Sequence, residues 1–341
     1  MIYFECDYQE GAHPNILAKL QETNWVQTLG YGEDPYCQEA RKTIQNACQA
    51  PQAEVHFLVG GTQTNTTVLA ALLRPHQGVL CAETGHISVH ETGAIEATGH
   101  KVLALPSEEG KITVEQVEQA VEAHRGDASF EHMVQPAAVY LSFPTENGTL
   151  YNKEELELFR AVCDRCHLLL YVDGARLGYG LASEQCDVSL PDLARVCDVF
   201  YIGGTKVGAL FGEAVVFPNP DIARDFRYLI KQRGGMLAKG RLLGIQFQTL
   251  FQDGLYLSIS KHGVDLAMKF RRACERKGIR LLYESWTNQQ YPILSDEKLR
   301  ALSERYAFCY WQRMDAAHSA VRVCTSWATR EEDVDALIAD L

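Results

Sequence analysis

The chain has 341 residues, 46% of them hydrophobic, and a net charge of −12. That length is ample for a large core plus a smaller domain, and the acidic balance argues against nucleic acid or an anionic membrane as a partner. No apolar run is long enough to span a bilayer, and Met1–Asp7 lacks the basic and apolar regions of a signal peptide, so a cytoplasmic location is expected. Eleven cysteines without framework-like spacing read as reduced thiols. The Cys163-Asp164-Arg165-Cys166 pair closes a helix-like segment and reads as helix packing rather than a redox centre.

Taken in chain order, Gly30-Tyr31-Gly32-Glu33-Asp34-Pro35 is a structured turn to which residue chemistry alone assigns no task. From about residue 54 to 217, strand-like runs alternate with helical ones, the pattern of a parallel sheet covered on both faces. The expected strands are Glu54–Val59, Gly78–Ala82, Val102–Pro106, Ala137–Phe143, Leu168–Val172, Val199–Ile202 and Glu213–Phe217. Amphipathic segments such as Val114–Ala123 and Lys153–Arg165 lie between them. Beyond Phe217 come long helical stretches, about Asp221–Arg233 and Arg241–Lys277, and then a short α+β tail. The expected fold is therefore α/β: a large domain over residues 1–240 carrying a mostly parallel seven-stranded sheet, and a smaller C-terminal α+β domain over 241–341.

Two strand ends carry the most chemistry. Leu168–Val172 runs into Asp173-Gly174-Ala175-Arg176, and Val199–Ile202 runs into Gly203-Gly204-Thr205-Lys206. Ligands of open α/β sheets sit outside the carboxyl ends of the strands. An acid at one such end and an amine at another suit pyridoxal 5′-phosphate: lysine forms the Schiff base, and aspartate keeps the ring nitrogen protonated. Gly60-Gly61-Thr62, after the first strand and before a helix, offers backbone N–H groups and a hydroxyl to the phosphate. His86, just past the second strand, is placed to stack on the ring and to move protons. His86 and His90 share a helix face, but no third ligand accompanies them, and no metal is expected.

In this order and spacing, Tyr31-Gly32-Glu33-Asp34-Pro35, Gly60-Gly61-Thr62, His86 with Glu91, Asp173-Gly174-Ala175-Arg176 and Lys206 resemble the threonine aldolase and β-eliminating lyase family, with fold-type-I pyridoxal-phosphate architecture. The resemblance implies that Lys206 binds the cofactor aldehyde, Asp173 its ring nitrogen, and Gly60, Gly61 and Thr62 its phosphate, with Thr205 a further cofactor-binding residue. It implies His86, with Glu91, as stacking and proton-transfer group, and His132 as a further active-site residue. Arg176 and Arg322 would grip the substrate carboxylate, for which a planar guanidinium is suited, with Tyr31 and Asp7 also on the substrate side. It further implies a homodimer or homotetramer with sites at the subunit interface. Departures from the family pattern are Cys6 before Asp7, Thr205 before the lysine, the turn Phe143–Gly148, and Leu237 where an arginine reaches a neighbouring subunit's phosphate. Lys239, Arg241 or Arg233 are candidate substitutes.

The expected reaction is retro-aldol cleavage of a β-hydroxy-α-amino acid of the L-threonine or L-allo-threonine type to glycine and an aldehyde. The alternatives are β-elimination or transamination on the same cofactor, which need the same lysine and aspartate, and a non-catalytic binding protein that retains the scaffold.

Overall fold

The computed structural model describes residues 1–341. Its strands are β1 (Ile2–Tyr3), β2 (Glu54–Leu58), β3 (Gln77–Ala82), β4 (Lys101–Leu105), β5 (Gln135–Ser142), β6 (Leu169–Asp173), β7 (Val199–Gly203) and β8 (Glu213–Phe217), followed by β9 (Gln289–Gln290), β10 (Ile293–Ser295), β11 (Tyr306–Ala307), β12 (Cys309–Arg313) and β13 (His318–Cys324). Seven of them form one sheet in the order β2-β8-β7-β6-β5-β3-β4. All its neighbours are parallel except β8, which runs antiparallel to both β2 and β7. These are the seven strands expected from the apolar runs, displaced at their ends by at most two residues.

Both faces of the sheet are covered, and the strands divide their side chains with period two. Phe200 and Ile202 enter a core of 45 buried residues on one face, whereas Val199 and Tyr201 enter a core of 19 on the other. The covering helices start where the chain supplies caps. Thr113 with Gln116, and Asn152 with Glu155, form capping boxes ahead of Val114–Gly126 and Lys153–Cys166.

After β8 the long helical stretches are interrupted. Asp225 adopts a left-handed conformation (φ 65°) ahead of helix Phe226–Gln232. Asp253 and Gly254 (φ 51° and 71°) separate helix Arg241–Phe251 from helix Leu255–Arg276. Core membership also changes elsewhere than at residue 240. Leu243, Phe247 and Leu250 belong to the larger core of the main sheet. A third core joins Leu266, Phe270, Tyr306, Val321 and Val334 to Phe4. The amino-terminal segment reaches that core because β1 pairs in parallel with β11, a contact between chain ends that no local pattern encodes.

Candidate active site

The carboxyl ends of β2, β3, β5, β6 and β7 open on one side of the sheet, and β8 starts there. Register brings Ser142 opposite Asp173, and Glu213 opposite both Leu58 and Gly203. Gly174 permits the close approach of the β6 and β7 ends. A Cβ there would lie 1.9 Å from the Tyr201 carbonyl oxygen, and the Gly203 N–H donates to the Gly174 carbonyl at 2.9 Å.

Two adjoining cavities occupy this edge. One, of about 310 Å³, is bordered by Gly60, Gly61, Thr62, Asp173, Thr205 and Glu213 among others. The other, of about 600 Å³, is bordered by Glu83, His90, Cys309, Tyr310, Trp311 and Arg322. Tyr8, His86, Glu146, Arg176 and Lys206 border both and so mark the junction.

At the first cavity, helix Gly61–Leu72 begins after Gly60 with no side-chain cap, leaving its first N–H groups available. A Cβ on Gly60 would meet nothing within 4 Å, so the space beside this helix start is open. Glu213 accepts from the Thr205 hydroxyl (2.8 Å) and the Gly204 N–H (3.0 Å). Burial pushes its carboxyl up to about 8, which limits its repulsion of an anion.

Asp173 receives four donors. Tyr140 and Asn65 donate to Oδ2; Tyr201 and the Ala175 N–H donate to Oδ1. Burial first, and then the Asp173 charge, raise the Tyr140 and Tyr201 hydroxyls well above the ordinary tyrosine range, so both remain donors. Asn65 also donates to Glu91 Oε1 (2.7 Å) and accepts from the Tyr171 hydroxyl (2.6 Å). Glu91 Oε1 lies 2.7 Å from His86 Nδ1. Because an ionised carboxylate only accepts, the proton of the neutral ring sits on Nδ1 and Nε2 is left as its basic nitrogen.

At the junction, burial and then the Arg176 charge lower the Lys206 pKa. Arg176 makes a two-pronged pair with Asp7, Nε to Oδ2 at 2.7 Å and Nη2 to Oδ1 at 2.9 Å, which leaves Nη1 for another partner. Burial alone would raise the Asp7 carboxyl, but Arg176 and Lys206 overcome it and hold it below the usual range. Asn288 also donates to Asp7 Oδ2 (2.9 Å). Arg322 donates to the Glu5 carbonyl (2.8 Å) and to Gln289 Oε1 (3.3 Å), while its Nε is buried without a partner.

Gly60, Gly61, Thr62, His86, Asp173, Arg176, Thr205 and Lys206 thus meet at one cavity, Arg322 joins at its neighbour, and Glu91 and Asp7 support His86 and Arg176 from behind. The structure does not bring His132 or Tyr31 to these cavities. His132 lies exposed in a one-turn 3₁₀ helix ahead of β5, at the amino edge of the sheet. Tyr31 borders a separate groove with Leu237 and Gly240, and Lys231 sits 4.8 Å from its ring centroid. Arg241 is committed to the Thr23 and Val26 carbonyls and is no free substitute for an arginine at position 237.

Sequence reasoning missed Asn65, Tyr140, Tyr171, Tyr201, Glu146 and Glu213. The tyrosines sit in apolar strand runs and read as core. Their signal is recurrence in three adjacent strands, where Tyr140 pairs in register with Tyr171 and all three enter the same core.

A family model described as beta-eliminating lyase matches residues 16–321. A low-specificity L-threonine aldolase from Pseudomonas aeruginosa is 31% identical, covering 99% of this chain and 96% of the relative. The one from another Pseudomonas strain is 30% identical with the same coverage. A solved Leishmania major threonine aldolase superimposes with a TM-score of 0.97 at 42% identity, covering 99% of this chain and 98% of that one. A Thermus thermophilus aspartate aminotransferase mutant, with a TM-score of 0.72 at 15% identity over 100% of this chain and 90% of that one, shares the fold. The chain belongs to the beta-eliminating lyase family.

Proposed function

We propose that this chain cleaves the Cα–Cβ bond of β-hydroxy-α-amino acids such as L-threonine, yielding glycine and an aldehyde. The observation that carries this reading is the meeting of Lys206, Asp173 and Arg176 at one cavity, with His86 Nε2 free beside them. Full-length likeness to L-threonine aldolases supports the substrate class.

Pyridoxal 5′-phosphate is the cofactor of this family, and the donor set of the cleft fits it. Gly60, Gly61 and Thr62 at the open helix start would hold its phosphate, Lys206 its aldehyde carbon and Asp173 its ring nitrogen, with His86 against the ring. Of the side-chain donors to Asp173, only Tyr201 also borders the cavity, so its hydroxyl is the one a ring N–H would replace. When bound, the cofactor supplies a sink for the electron pair released at Cα.

The remaining work falls to side chains. The free Nη1 of Arg176 and the unpartnered Nε of Arg322 bind the substrate carboxylate and turn the Cα–Cβ bond into its reactive orientation. His86 Nε2 accepts the β-hydroxyl proton, and Glu91 stabilises the resulting imidazolium through Nδ1. Base assistance of this kind contributes about a hundred- to ten-thousand-fold in rate.

The same lysine and aspartate would serve β-elimination, so products decide. Incubation of the cofactor-loaded protein with L-threonine is expected to give glycine and acetaldehyde; 2-oxobutyrate with ammonia would overturn the aldolase reading. The exposed side chains of Trp25, Leu29, Tyr31 and Tyr228 fit a homodimer or homotetramer in which they are covered and Tyr31 reaches a neighbouring subunit's cleft. Eleven free cysteines, eight of them buried, fit a reducing cytoplasm.

A further inference from the structure

We propose that Glu146 is protonated and presents its Oε2–H as a hydrogen-bond donor to an oxygen held where the two cavities meet. Glu146 follows β5 and borders both cavities. Its backbone is pinned by β9 and the residue after it, where the Gln289 amide (3.4 Å) and the Tyr291 hydroxyl (2.6 Å) donate to its carbonyl oxygen. In the side chain, Oε1 accepts from the His86 N–H (2.9 Å) and from the Ser142 hydroxyl (2.6 Å). Oε2 is buried and has no partner.

That asymmetry matches a carboxylic acid. Its carbonyl oxygen takes two donors, and its hydroxyl keeps one proton to give. An ionised carboxylate would leave charge on a buried oxygen that nothing solvates. Burial raises the Glu146 pKa, overcoming the hydrogen bond from Ser142; the Asp173 charge adds to the rise and His86 opposes it. The other carboxyls nearby are placed differently. Both Glu213 oxygens already accept; Glu91, whose Oε2 is also unpartnered, borders neither cavity and faces the His86 imidazole, which can carry the balancing positive charge, whereas the donors to Glu146 are a backbone N–H and a hydroxyl.

The inference rests on the reading of the cleft given above and assigns it one more binding residue. The acceptor is an oxygen either of the cofactor ring, its phenolic oxygen, or of the amino-acid substrate. Glu146→Gln, Glu146→Ala and the volume-filling Glu146→Leu, each loaded with pyridoxal 5′-phosphate, separate the alternatives. Glutamine keeps a carbonyl acceptor and an N–H donor, so it is expected to stay within about threefold of the native kcat/KM, whereas alanine and leucine lose about tenfold or more. If the acceptor is on the cofactor, the pH midpoint of its visible band, read without substrate, moves in the alanine and leucine variants and is restored in glutamine. If it is on the substrate, the band stays and KM for L-threonine rises.

Glutamine as impaired as alanine would mean that the ionised carboxylate is required and would overturn the proposal. So would alanine and leucine variants that match the native protein in both band and KM. A native protein that binds the cofactor but leaves threonine intact would overturn the proposed reaction, while the band's dependence on position 146 would still decide the role of Glu146.

Discussion

The two cavities differ in how completely one charged group of each, Asp173 and Arg322, is engaged. Around Asp173, Tyr140, Tyr201, Asn65 and the Ala175 N–H fill the carboxylate, and Asn65 passes the network on to Glu91 and His86. Around Arg322, one guanidinium nitrogen is buried without a partner, and the wall is a mixture of Trp311, Tyr310 and Cys309. A carboxylate that already holds four donors is fixed before any ligand arrives, which suits a cofactor whose position must not vary. Open hydrogen-bonding capacity suits a ligand that comes and goes. Changes at the first cavity should therefore depress turnover for every substrate, and changes at the second should mainly alter binding.

The largest expected effect is that of Lys206→Ala, which should abolish the visible band of the bound cofactor together with activity; a retained band would remove Lys206 from its place. Asp173→Asn should lower kcat by about a hundred- to a thousandfold, because it would remove the charge proposed to face the ring nitrogen while preserving shape. Near-normal turnover would dissolve the contrast between the cavities. Asn65→Leu should cost roughly ten- to a hundredfold in kcat, as expected for a group that orients ligating side chains. An effect confined to thermal stability would show that the bridge between Asp173 and Glu91 is only structural. Arg322→Ala is expected to raise KM by about tenfold or more, with kcat much less affected. The mildest is His132→Ala, whose exposed position ahead of β5 predicts unchanged kcat and KM.

The sheet was readable because both of its faces are buried, so its strands are near-continuous apolar runs such as Val199–Ile202. Lys206, Asp173 and Gly60 were readable because they follow such runs directly. Asn65 was not, since a polar residue early in a helix looks like any solvent-facing one until the fold buries it between two carboxylates. Glu146 escaped notice because its burial depends on Tyr291 and Gln289, some 145 and 143 positions away along the chain. His132 lies away from these cavities for a related reason. Its segment enters β5 rather than leaving it, and only the direction of a strand decides which of its ends faces the ligand.

The central claim is that one cofactor site lies at this sheet edge, anchored by Lys206. Borohydride reduction of the cofactor-loaded protein, followed by peptide mass mapping, tests it most directly, because reduction turns the lysine–cofactor linkage into a stable amine. The account predicts a single phosphopyridoxyl group on Lys206. A label on another lysine, or no label at all, would contradict it.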